Sequence, residues 1–119
     1  MNRVVITGMK ALTSIGNDVS STLGSMINGK HGIAPITHFD TEKYDAKPAA
    51  EVKNYVPTLY LNEKEIQRYD VFTVLGVGAA SQAMTDSDIV GKISPEQMGL
   101  YFSTGIGELI TLGKMKHSL

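Results

Sequence analysis

Two apolar runs in this chain end in a glycine turn, and such turns are where backbone N–H groups come free to hold an anion. The first is Val4-Val5-Ile6-Thr7-Gly8, and the second is Leu100-Tyr101-Phe102-Ser103-Thr104-Gly105-Ile106-Gly107. A dinucleotide site needs further glycines at close spacing, but after Gly8 the next glycine is Gly16, so the first run reads as a strand with a glycine stop. The Gly105-Ile106-Gly107 turn could cradle an anion, or simply reverse the chain after a buried strand. His31, His38 and His117 have no paired spacing for a metal and read as solvated. Lys64 and Arg68 stand one helical turn apart, which puts both charges on one face, either a solvated face or one that meets an anionic partner. The chain has no cysteine, so disulfides, thiolate metal sites and a cysteine nucleophile are excluded within it.

The elements that must carry these residues are legible from periodicity. Arg3 to Thr7 reads as a buried strand, because Val4, Val5 and Ile6 are β-branched and consecutive. Asp18 caps a helix reaching about Asn28, with Val19, Leu23, Met26 and Ile27 on one face and Asn28-Gly29 as a left-handed stop. Ile33 to Lys47 reads as loop, and Ala49 to Lys53 as a short second strand. Asp70 to Met84 is a second helix, in which Gly76 and Gly78 predict close approach of the backbone to a neighbour. Asp86-Ser87-Asp88 ends it, Ile93 to Gln97 turns at Pro95, and Met98 to Ser103 is a third strand.

Composition bounds the function. At 119 residues and 42% hydrophobic content the chain has the size of one domain, here taken as residues 1–119. Eleven basic against twelve acidic side chains give a net charge of −1, too little field for nucleic acid or an anionic membrane. No apolar segment reaches the roughly 20 residues of a membrane span, so the expected location is the cytoplasm. The order β-α-β-α-β predicts a parallel α/β sheet. Right-handed crossovers would put both helices on one face and leave the other face bare.

In order, RVVITGMKALTSIGND, GKHGIAPITHFDTEKYDAKPAAEV, KE…RYD-x-F with an Ala-rich helix, and MGLYFSTGIG resemble the N-terminal part of a β-ketoacyl-acyl carrier protein synthase of the elongating, synthase II-like class. The resemblance runs to about Gly107. It implies an α/β, partial thiolase-like fold, the β-α-β-α-β of the N-terminal half, incomplete without the remainder. It also implies a parent enzyme that condenses an acyl thioester with malonyl-acyl carrier protein in fatty acid biosynthesis. That reaction uses a cysteine, two histidines and a lysine that lie further on in the family, and no metal or organic cofactor. His31, His38 and His117 correspond to none of them.

What the resemblance carries onto this chain is binding. Ile106 resembles a position lining the acyl-chain pocket near a dimer interface, and Lys64 and Arg68 resemble part of a basic patch for acyl carrier protein. The chain departs from the family at Gln67, often basic, at Lys10, usually glycine, and at Glu108, which replaces the last glycine of GIGG. The expectation is an N-terminal segment inactive alone, from a homodimeric parent, with no catalytic residue of its own. The alternative is a non-catalytic module binding acyl carrier protein or a complete synthase, and a third is a small nucleotide-binding protein built on VVITG. An uncovered sheet face further predicts weak cooperativity and self-association.

Overall fold

The computed structural model describes residues 3–107. The chain divides into two compact units, Lys10–Tyr55 on one hand and Met1–Met9 with Val56–Leu119 on the other.

In the Lys10–Tyr55 unit, helix α1 spans Val19–Ile27. It starts where Asp18, in extended conformation, accepts a hydrogen bond from Ser21 N at 2.7 Å, and Ser21 Oγ accepts in turn from Asp18 N at 3.3 Å, a reciprocal capping box. It stops at Gly29, whose φ of 66° is left-handed; Gly29 N donates to Met26 O and Lys30 N to Ser25 O, the two bonds of a Schellman motif. The preceding turn is closed by Thr13 N to Gly16 O at 2.8 Å and fastened to the helix by Ser25 Oγ to Ile15 O, also 2.8 Å. Strands β1 (Ile33–Pro35) and β2 (Pro48–Ala50) then pair antiparallel, with Ala34 opposite Ala49 and Pro35 opposite Pro48. Asn17 Nδ2 donates to Lys53 O at 2.9 Å and ties the chain just past the hairpin to the start of the helix.

In the other unit, a 3-10 turn at Pro57–Leu59 leads into α2 (Glu63–Arg68) and α3 (Val71–Ser87), and a second 3-10 turn covers Pro95–Gln97. Helix α2 is capped by Asn62 and Glu65 in a second capping box. Asp88 takes a left-handed conformation (φ 52°) and ends α3. Helix α3 is apolar around its circumference, the pattern of a helix meant to be covered on several sides. Val74 and Gly78 are nevertheless the only fully buried residues among those described, Val74 at 7% exposure. Gly8 and Met9 lie against the end of α3. Met9 N donates to Asp86 Oδ2 at 3.1 Å, and a Cβ on Gly8 would stand 2.4 Å from Ala83 O.

The helices match expectation, with α3 running three residues past Met84. The parallel β-α-β-α-β pattern does not. Among the described residues the only sheet is the two-stranded antiparallel β1-β2, and neither Arg3 to Thr7 nor Met98 to Ser103 is a strand. Both runs have strand composition, but a strand exists only where a neighbour supplies ladder partners. Here Val4 (94% exposed), Ile6 (83%) and Tyr101 (98%) face no such neighbour. Ile33 to Lys47 is not all loop, since Ile33–Pro35 pairs, and the predicted strand at Ala49 to Lys53 is shifted to Pro48–Ala50.

Two substitutions test this packing with opposite signs. Gly8→Ala forces a Cβ into the α3 backbone and should lower stability by about 1–3 kcal/mol. Gly24→Ala, in the middle of α1 with open space around it, should raise it by about 1 kcal/mol. Urea midpoints from far-UV circular dichroism check both, and an unchanged midpoint for Gly8→Ala contradicts the close approach.

The Asp18 cap makes a pH prediction. The hydrogen bond from Ser21 N holds the Asp18 carboxyl below its ordinary value. Its stabilisation is therefore complete above the unfolded value and is lost as pH falls through the lower folded one. Helicity at α1 should decline under acid, and Asp18→Asn, which keeps the acceptor, should remove that decline. The Ser21 amide signal in an NMR pH titration reports it.

Candidate functional site

Helix α2 places Lys64 and Arg68 one turn apart, and both are exposed. The capping box explains the placement, because Glu65 turns back to accept from Asn62 N at 2.9 Å and fixes the first turn from which Lys64 projects. Gln67 is exposed beside Arg68. The helix also carries Glu63 and Glu65, so the two cations form a local pair rather than a broad positive surface.

The Thr-Gly-Ile-Gly turn lies at the far end of the same unit. Gly107 is left-handed (φ 70°), and its N–H donates to Thr104 Oγ1 at 3.3 Å, which closes the turn. Ile106 stands at its tip, 75% exposed. Among the described residues, no hydrogen bond or ion pair joins Ile106 to Lys64 or Arg68. Glu108 and His117 lie outside the described residues. His31 and His38 are exposed, in agreement with a solvated reading, although His38 also approaches Glu51 at 3.8 Å.

Periodicity did not reveal the apolar groove along α3. Phe102 lies on Gly76, where a Cβ would stand 2.2 Å from the ring, and it stacks on Phe72 with centroids 6.2 Å apart and planes at 17°. Beside this contact Thr73, Gly76, Val77, Ala80, Leu100 and Phe102 line a cavity of about 190 Å³. It continues past Met84 and Met98 into a wider groove of about 610 Å³. The signal was Gly76 itself: a glycine inside a helix marks a close approach, here by an aromatic ring. The narrow part is smaller than the roughly 300–1,000 Å³ of a ligand pocket, and with Thr73 its only polar side chain it suits packing rather than catalysis.

No group of three or more potential metal ligands occurs among the described residues, and no described helix is long and apolar enough to cross a membrane. The carboxyls held below their ordinary values, Asp18, Glu51 and Glu96, owe this first to hydrogen bonds from Ser21, Thr37 and Ser94 respectively.

Comparison with known proteins shows the family of the chain. The family described as "Beta-ketoacyl synthase, N-terminal domain" matches residues 1–118. A 3-oxoacyl-[acyl-carrier-protein] synthase 2 of Staphylococcus aureus (strain COL) is 39% identical over 110 residues, which are 92% of this chain and 27% of that protein. The Synechocystis protein of the same name is 37% identical over 111 residues, again 92% of this chain and 27% of its own length. Among solved structures, the ishigamide ketosynthase/chain length factor superposes with a TM-score of 0.75 at 24% identity, covering 95% of this chain and 28% of that one, a likeness of fold. The chain thus spans about a quarter of the length of the curated relatives it matches. With an ordered match across 118 of its 119 residues, it belongs to the β-ketoacyl synthase family, in the N-terminal domain.

Proposed function

We propose that these residues form the N-terminal part of a 3-oxoacyl-acyl carrier protein synthase of fatty acid biosynthesis and supply binding surface rather than reacting groups. One observation supports this most: the family match covers 1–118 in a sequence without a cysteine. In the condensation expected of the parent enzyme, a cysteine thiolate takes the acyl group, malonyl-carrier loses carbon dioxide, and the resulting carbanion attacks the acyl carbonyl and expels the thiolate. A thiolate held low in pKa and donors around the developing oxyanion are its requirements. The sequence has no thiol, and no histidine is among the described residues that line the groove.

Its contribution is recognition. Lys64 and Arg68, exposed and one turn apart, present charge to an acidic helix of acyl carrier protein. Ile106, at the tip of the glycine turn, meets the acyl chain, where its aliphatic volume limits length. The parent is a homodimer in the cytoplasm. The exposed cation pair also favours a second reading, in which the chain is a non-catalytic module that binds acyl carrier protein by itself.

Two measurements test these readings. Mixed with acyl- and malonyl-acyl carrier protein, the chain should form no 3-oxoacyl product, and turnover would contradict the assignment of the chemistry elsewhere. Exposed ion pairs contribute about 0.2–1 kcal/mol each, so replacing both Lys64 and Arg68 by alanine should weaken carrier binding at low salt by roughly 2- to 30-fold. The effect should shrink as salt is added. A double variant that binds as wild type removes the docking assignment, and no binding by the wild type removes the module reading.

A further inference from the structure

Residues 36–47 leave β1 and return to β2 as a closed loop. Ile36 N donates to Lys47 O at 2.9 Å, so the two ends meet. Within it, Glu42 N donates to Asp40 Oδ1 at 3.0 Å, Tyr44 N to Thr41 O at 3.1 Å, and the Phe39 and Tyr44 rings meet edge to face with centroids 5.8 Å apart. A loop of this length, with close ends and its own side-chain packing, is an Ω-loop. The hairpin beneath it is a weak base. Its strands have three residues each, and the pair nearest the loop is Pro35 opposite Pro48, which have no N–H to donate.

Glu51, the residue after β2, supplies what the prolines cannot. Its Oε2 accepts from Thr37 Oγ1 at 2.7 Å, and its Oε1 accepts from Thr37 N at 3.0 Å and His38 N at 3.4 Å. The Glu51 side chain is only 10% exposed. We infer that Glu51 is the latch of this Ω-loop, and that neutralising its carboxylate releases residues 36–47 while α1 and its cap stay in place. An ionised carboxylate offers acceptors on both oxygens, whereas a protonated one turns an acceptor into a donor facing donors. Charge-assisted bonds of this kind are also about twice as strong as neutral ones.

The pH sign follows from the same contacts. The Thr37 hydroxyl and amide hold the Glu51 carboxyl below the ordinary glutamate value, so the latch is closed above the unfolded value and opens as pH falls through the folded one. Among the described residues, the only ionisable side chain facing the carboxylate is His38, with Nε2 at 3.8 Å; its protonated form attracts the closed carboxylate.

Limited trypsin digestion of the chain at neutral pH tests the latch. Lys43 lies inside the loop, Lys47 precedes Pro48 in a bond that trypsin does not cut, and Lys30 and Lys92 serve as exposed references. Cleavage tracks the open population when reclosing is fast. Glu51→Gln should speed the cut after Lys43 about tenfold relative to Lys30 and Lys92. Thr37→Val, which removes only the hydroxyl contact, should give a smaller acceleration at the same bond. In an NMR titration, the Thr37 and His38 amides should shift with the midpoint of the Glu51 carboxyl carbon. An unchanged Lys43 rate in both variants overturns the latch. So does equal acceleration at Lys43 and Lys30 against Lys92 in the other unit, because Glu51 would then hold the whole Lys10–Tyr55 unit rather than the loop.

Discussion

Everything described in the unit that contains α3 depends on one constraint: a helix apolar on all sides must find cover. Val74 and Gly78 mark where it does so fully. Gly76 lets Phe102 sit on the backbone, and Phe72 completes the aromatic stack. Gly8 does the same for the segment that comes in at the other end, fixed by Met9 N on Asp86. The two extended segments thus touch the helix at Gly8 and, through Phe102, at Gly76, although neither is paired into a sheet. Val77, Ala80, Ser81, Met84 and Thr85 of the helix border the open groove toward Met98.

The Lys10–Tyr55 unit is held differently. None of its apolar side chains is fully buried, and Leu23, Met26 and Ile27 of the α1 apolar face are exposed. Its order comes from polar closure: the capping box, the Schellman stop, the Thr13–Gly16 turn, Asn17 on Lys53 and Glu51 on Thr37. Each such bond contributes only about 0.5–1.5 kcal/mol net. Local openings of low free energy are the physical consequence.

The sequence was most legible where structure is decided locally. Asp18, Asn28-Gly29 and Asp88 punctuate helices with contacts three or four residues away, so their types and positions suffice. The runs at Val4 and Leu100 have strand composition without strand structure, because composition records a preference for pairing, not the presence of a partner; the helices are local, the ladder is not. The role of Glu51 is not legible in the sequence for a related reason. Its partner Thr37 is fourteen positions away, and a carboxylate meeting a hydroxyl leaves no periodic trace. The ordered motifs nevertheless pointed to the family, because several unrelated spacings agreed along most of the chain. In the proposed reading Ile106, at an exposed turn, and the cations, on a capped helix, serve recognition, and a sequence without cysteine leaves the thiol chemistry to other residues of the parent.

Amide hydrogen exchange tests most directly whether α3, rather than a sheet, organises these residues. Protection should peak in α3 around Val74 to Gly78, persist weakly in α1, and be absent at Val4 to Ile6 and Leu100 to Phe102. Amides at Val4 to Ile6 and Leu100 to Phe102 protected as strongly as those of α3 would show paired strands and contradict the account.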